Sequence, residues 1–259
     1  ALLDLADTTS VGWDTTNTTG ACYWGGVTCR NDTVVELRLY KRGLTGHLPE
    51  SIGNLTHLKI FSAGSNALSG QIPESIGNLT HLEYFNVDGN ALSGQIPESI
   101  GNLTHLEYFS VSRNALSGQL PASMGNLKSL TYLDVAGNQF TGPVSMLSSL
   151  TSLEDLRLDN NQFTGPVSML SSLTSLERFT LYSNQFADSL DFLSGLISLK
   201  ELIISFNDFY GLIPPAVTKL CKKDTTRCEF IDNNRLCGDG ERGENIRSSF
   251  LTNQQLPLL

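Results

Sequence analysis

The 259-residue chain is short of several things, and each shortage removes a class of function. Basic residues are outnumbered, 17 Lys and Arg against 26 Asp and Glu, which gives a formal charge of −9 and a pI near 4.9. Phosphate backbones and anionic membranes both want a positive face, so no nucleic acid and no lipid surface is expected as a partner. No run of 18 apolar residues occurs, so no transmembrane segment is expected. Histidine is limited to His47, His57, His81 and His105. No nucleophile motif accompanies them and the carboxylates are scattered, so catalysis is not expected. The glycines within 34–220 recur with the repeats, and no phosphate-cradling glycine motif occurs, so no cofactor is implied.

Cysteine is also scarce, and its placement is informative. Cys22 and Cys29 stand near one end, and Cys221, Cys228 and Cys237 near the other. Thiols confined to the two ends of a repetitive chain suit a disulfide framework in an oxidising compartment. Six residues separate Cys22 from Cys29, enough for a small disulfide loop. Of the other three, two are expected to pair and one is left over for a free thiol or another chain. Five N-glycosylation sequons begin at Asn17, Asn31, Asn54, Asn78 and Asn102. The chain opens at Ala1 with no signal peptide, and the cysteines and sequons favour one removed in maturation.

What is abundant is repetition. NALSGQIPESIGNLTHLEYF at 66–85 recurs unchanged at 90–109, and NQFTGPVSMLSSLTSLE at 138–154 recurs at 161–177. A fixed period of this length is the mark of a solenoid. Repeats of 24 residues cover 34–57, 58–81, 82–105 and 106–129, and repeats of 23 cover 130–152, 153–175 and 176–198. An eighth starts at Leu199 and runs into Cys221. The expected organisation is an N-terminal cap at 1–33, eight repeats at 34–220, and a C-terminal cap and tail at 221–259. Each repeat opens as LxxLxLxxNxL, whose central alternation reads as a strand, and a Pro/Gly break and a short 3₁₀ or turn segment follow. Successive strands run the same way and are therefore parallel.

One coil cannot stand alone. About six buried apolar side chains contribute roughly 10–20 kcal/mol, whereas ordering two dozen residues costs roughly 24–48 kcal/mol of backbone entropy. Stacking closes the gap, and the ends need lids, for which Trp13 and Trp24 are suited. Asn66, Asn90, Asn114, Asn138, Asn161, Asn184 and Asn207 recur at repeat position nine and are expected to satisfy buried backbone groups at the bend. Arg42 takes that position in the first repeat.

These features resemble the plant-type extracellular leucine-rich repeat family. LSGQIP at 68–73 and 92–97 matches its LxGxIP element, CYWGGVTC matches its N-terminal cap pattern CxWxGVxC, and NNRLCG at 233–238 resembles its C-terminal cap. The resemblance implies an α/β solenoid: a right-handed superhelix with a parallel sheet on the concave face, 3₁₀ and turn segments on the convex face, and disulfide-capped ends. Family members include receptor ectodomains, receptor-like proteins, secreted inhibitors of cell-wall-degrading enzymes and a few ice-binding proteins, so the fold does not choose the function. The 23-residue repeats replace IP with TGPVSM, and the second small sheet is expected to weaken after about residue 130.

On the concave face, Tyr84, Tyr108 and Tyr132 should lie on adjacent strands about 5 Å apart, either as an interface centre or as cross-strand stacking. Beside them are expected Asp88, Arg113, Asp134, Asp155, Arg157, Asp159, Arg178 and Tyr182, a mixed-charge surface suited to a polar ligand. His57, His81 and His105 form a column read as passive surface. Asn54, Asn78 and Asn102 share a flank expected to lie away from the binding face. The leading expectation is a secreted or cell-surface recognition module for a protein or peptide. A polygalacturonase-inhibitor-like blocker of a secreted hydrolase is a second reading, and a structural component of a larger extracellular assembly a third.

Overall fold

A computed structural model describes residues 2, 4–5, 18–222, 226–233 and 235–237. Trp13 and Asn17 lie outside the described residues, as do most of the first nine residues, where the sequence suggests a short helix. Leu2, Leu5 and Trp24 are buried at the N-terminal end of a continuous core.

Ten strands form one sheet. An antiparallel pair, Val27–Arg30 with Thr33–Arg38, opens it. Eight further strands of three residues then follow in parallel, one per coil, from Ile60–Ser62 through Tyr84–Asn86, Tyr108–Ser110, Tyr132–Asp134, Asp155–Arg157, Arg178–Thr180 and Glu201–Ile203 to Arg227–Glu229. In each of these eight strands the middle residue points inward, and six of them form a column running Phe61, Phe85, Phe109, Leu133, Leu156, Phe179. The outer two residues face the concave surface. Arg227–Glu229 extends this sheet into the segment that the sequence assigns to the C-terminal cap.

A second sheet of seven strands runs from Thr45–His47 to Gln185–Phe186. It does not fade after residue 130, contrary to the expectation above. Gln139–Gly142 and Gln162–Gly165 pair in register, Thr141 opposite Gln162 and Gly142 opposite Phe163. The reason is local: the replaced residues lie beyond the paired ones. TG keeps the strand and buries Phe140 and Phe163, and what changes is the entry to the next 3₁₀ turn. There Val144 has φ −112° where Pro97 has φ −69°.

The asparagines bind the coils together. Asn114 donates through Nδ2 to Val87 O, Val111 O and Ser112 O at 3.0, 3.0 and 3.1 Å, and its Oδ1 accepts Leu92 N–H at 2.9 Å. One side chain therefore closes its own bend and fastens it to the preceding coil. The pattern holds from Asn66 to Asn207 and continues at Asn233, which donates to Ile204 O and Phe230 O and accepts from Phe209 N. Where Arg42 interrupts the ladder, its backbone N–H donates to Asn66 Oδ1 at 2.9 Å.

The bend itself imposes a backbone. Just before each asparagine φ is positive: 55° at Ser65, 58° at Gly89, 52° at Arg113, 65° at Gly137, 52° at Asn160, 55° at Ser183, 57° at Phe206 and 55° at Asp232. Gly, Asn and Asp suit that region, whereas a bulky side chain there is an outlier.

Disulfides sit near both ends, Cys22 with Cys29 and Cys221 with Cys228. The second bond ties helix α1, Pro215–Cys221, to strand Arg227–Glu229, so the last concave strand is anchored covalently.

Candidate functional site on the concave sheet

The concave surface divides into an aromatic part, a charged part and an apolar end. Strand register places Tyr84 opposite Tyr108 and Tyr108 opposite Tyr132. The rings stack in parallel with centroids 4.2 Å apart in both steps. All three are half-buried. Burial raises the Tyr108 phenol, with the phenols of Tyr132 and Tyr84 adding to it, and burial raises Tyr132, with Asp134 adding. The stripe is therefore an uncharged apolar slab edged with hydroxyls.

At its end the column changes character. Asp155 stands opposite Tyr132, Arg178 opposite Asp155, Glu201 opposite Arg178 and Arg227 opposite Glu201. Arg157 grips Asp155 through two bonds of 3.0 and 2.9 Å while its guanidinium lies 5.2 Å from the Tyr132 ring centroid. Arg178 bridges Asp155 and Glu201, and Arg227 bridges Glu201 and Glu229. Hydrogen bonding to Asp155 raises Arg157, so this arginine stays charged. Arg113 pairs with Asp88 at 2.8 Å.

Two carboxylates stand apart from this zipper. Asp134 and Asp159 line a depression of about 470 Å³ with Arg113, Arg157, Thr180, Tyr182, Ile203 and other residues. Asp159 accepts the Thr180 hydroxyl at 2.5 Å and Tyr182 N–H at 2.9 Å. Asp134 accepts Ala136 N–H at 3.0 Å. Among the described residues neither takes part in an ion pair. Burial pushes Asp134 above the usual carboxylate range and Asp159 up to about 6.

Towards the C-terminus the face turns apolar. Phe206 packs edge-on against Tyr182 with centroids 5.3 Å apart, and its N–H donates to Ile231 O at 2.9 Å. Phe206 is 45% exposed and Ile231 37%.

The repeats and the fold are matched by the comparisons. The family description Leucine-rich repeat region fits residues 97–224, and Leucine Rich Repeat fits 57–79 and 81–103, together well over half the chain. The chain belongs to the leucine-rich repeat family. Its relatives place this leucine-rich repeat protein in the plant-type class. A probable inactive receptor kinase of Arabidopsis thaliana, RLK902, is 46% identical over 57 residues, 22% of this chain and 9% of the kinase. The ectodomain of the Arabidopsis receptor kinase HAESA, solved with the peptide hormone IDA and the co-receptor SERK1, superposes with a TM-score of 0.78 at 28% identity, covering 92% of this chain and 41% of that one. A plant ice-binding protein gives 0.77 at 23% identity, over 91% of this chain and 78% of that one, a likeness of fold alone. The chain thus spans less than half of either kinase chain it matches.

Other residues singled out in the leucine-rich repeat sequence fall elsewhere. His81 and His105 each place Nδ1 3.0 Å from a carbonyl of the preceding coil, Thr56 O and Thr80 O, and the rings of His57 and His81 stack. Asn54, Asn78 and Asn102 end successive 3₁₀ turns and are exposed, and Asn31 sits in the turn between the first two strands. Sequence reasoning gave no site role to Arg227, Glu229, Phe206 or Ile231. RCE at 227–229 carries no LxL signature, and Arg227 lies 26 residues after Glu201, out of step with the repeat period, so neither signal points to it.

Proposed function

We propose that this protein is an extracellular or cell-surface recognition module that takes a protein or peptide ligand across its concave sheet without chemical conversion. The observation that carries the reading is the continuous stripe from Tyr84 to Arg227, stacked rings giving way to cross-strand ion pairs. Stacked tyrosines offer a wide rigid contact at little entropic cost, and such residues dominate the energetics of interfaces. Half-exposed guanidiniums, set over more deeply buried carboxylates, supply a polar surround. Similarity to a receptor ectodomain solved with a peptide hormone supports the same class of activity. The paired cysteines and exposed sequons support an oxidising, glycosylating compartment.

The test is affinity capture from the extracellular fraction, comparing the natural chain with a Tyr84→Ala, Tyr108→Ala, Tyr132→Ala variant. A Gln71→Ala, Gln95→Ala variant, altered on the opposite flank, serves as control. Ligands lost by the first variant and kept by the control are expected. Equal capture by all three proteins would refute concave-face recognition.

A further inference from the structure

Phe206 combines a left-handed backbone with an exposed aromatic ring. Its coil position requires a left-handed backbone, φ 57°, which other coils fill with Gly89, Gly137, Asn160, Asp232, Ser65, Ser183 and Arg113, so Phe206 is the one aromatic side chain placed there. Its ring is not rewarded with core burial, since it is 45% exposed and leans only on the edge of Tyr182. Strain retained at an exposed position points to a function for the side chain. Ile231, also exposed, lies on the next coil and is joined to Phe206 through the backbone. Tyr182 and Ile203 continue this patch into the depression that holds Asp134 and Asp159.

The charges of the depression are unbalanced in one direction. Arg157 is held by Asp155 and Arg113 by Asp88, whereas Asp134 and Asp159 are bound only by hydroxyl or backbone donors. Two carboxylates without a paired cation, flanking an apolar patch, complement one kind of segment. We propose that the C-terminal half of the concave face is a two-part peptide subsite: Tyr182, Ile203, Phe206 and Ile231 receive an apolar side chain, while Asp134 and Asp159 receive an arginine or lysine of the same extended segment. Asp159 and Phe206 are two coils apart, about 10 Å at the spacing of neighbouring strands. A segment in the polyproline II conformation advances about 3.1 Å per residue and returns to the same face every third residue, which sets the basic and apolar residues roughly three positions apart.

This inference rests on the concave-face reading and adds a chemistry to it. Its test uses labelled ten-residue peptides on a Gly/Ser background carrying Arg-Ser-Ser-Leu, Glu-Ser-Ser-Leu, Arg-Ser-Ser-Ser or adjacent Arg-Leu, titrated by fluorescence anisotropy. Arg-Ser-Ser-Leu is expected to bind at least about tenfold more tightly than each of the others. Asp159→Asn and Phe206→Gly should each remove about tenfold of that affinity. Phe206→Gly is the decisive variant, because glycine relieves the backbone: its Tm should be unchanged or higher while binding falls. Equal binding of all four peptides, or full binding by both variants, overturns the subsite. If the tyrosine variant still loses capture while these peptides fail, concave recognition stands and only this subsite falls.

Discussion

Replacing Asp159 by Asn should make the protein more stable at neutral pH, with a pH dependence that identifies the cause. Burial raises the folded-state pKa from 3.8 to about 6. Each unit corresponds to 1.36 kcal/mol, so ionised Asp159 disfavours the fold by about 3 kcal/mol. The sign follows from proton counts. Well below the unfolded-state value of 3.8 the carboxyl is protonated folded and unfolded, and nothing is lost. Between pH 4 and 6 the folded chain holds more protons than the unfolded one, so stability falls as pH rises, and above 6 the full penalty applies. Asparagine keeps the geometry: Oδ1 accepts Tyr182 N–H, and Nδ2 can donate to the Thr180 hydroxyl that now donates to Asp159. Urea unfolding of both proteins at pH 4, 5, 6 and 7 should give curves within about 0.5 kcal/mol of each other at pH 4 and progressively further apart above it. At pH 7 the variant should be ahead by up to about 3 kcal/mol, roughly 6–12 °C in Tm for a chain of this size. A difference that is constant with pH, or that grows as pH falls, would refute the buried-charge argument.

Three other outcomes are expected. Asn114→Ala should cost about 3 kcal/mol or more, seen as a lower urea midpoint, since it removes four hydrogen bonds and leaves Leu92 N–H buried without its acceptor. Removing the Cys221–Cys228 bond, which closes a seven-residue separation, should lower stability by about 2.5 kcal/mol and speed proteolysis near the last concave strand. Enzymatic deglycosylation of protein secreted from a glycosylating host should reduce its intact mass through Asn54, Asn78 and Asn102, without affecting ligand capture, because those residues end the 3₁₀ turns and not the concave strands.

Much of the architecture was legible because each rule was stated many times over. One LxL is weak, but a column of them fixes strand, direction and register, and Asn66 to Asn207 disclosed the ladder that fastens coil to coil. The eighth rung, Asn233, was hidden because its coil lacks the leucine signature, and with it went the strand Arg227–Glu229. Persistence of the second sheet was misjudged for a related reason: Pro143 and Val144 alter the turn, while the pairing belongs to Thr141 and Gly142. The site was legible as a set of positions but not as a circuit. Letters alone do not tell that Arg178 reaches Asp155 and Glu201, or that Arg157 pairs with Asp155 and makes no ion pair with Asp134 or Asp159, because that depends on side-chain reach across strands. Phe206 was invisible for a sharper reason, since its oddity lies in φ.

The evenness of the tyrosine stack has a consequence for how a ligand finds its place. Both steps measure 4.2 Å, and the first two rings come from identical stretches of chain. Translation by one coil therefore carries much of that stripe onto itself, and a ligand resting there alone could shift by a strand at little energetic difference, as a nut moves along a uniform thread. The symmetry ends at Asp155, where aromatic gives way to charge and every later rung differs from its neighbour. Grip and alignment thus belong to different halves of the sheet: the repeated half can hold many things in several phases, and the irregular half selects one phase.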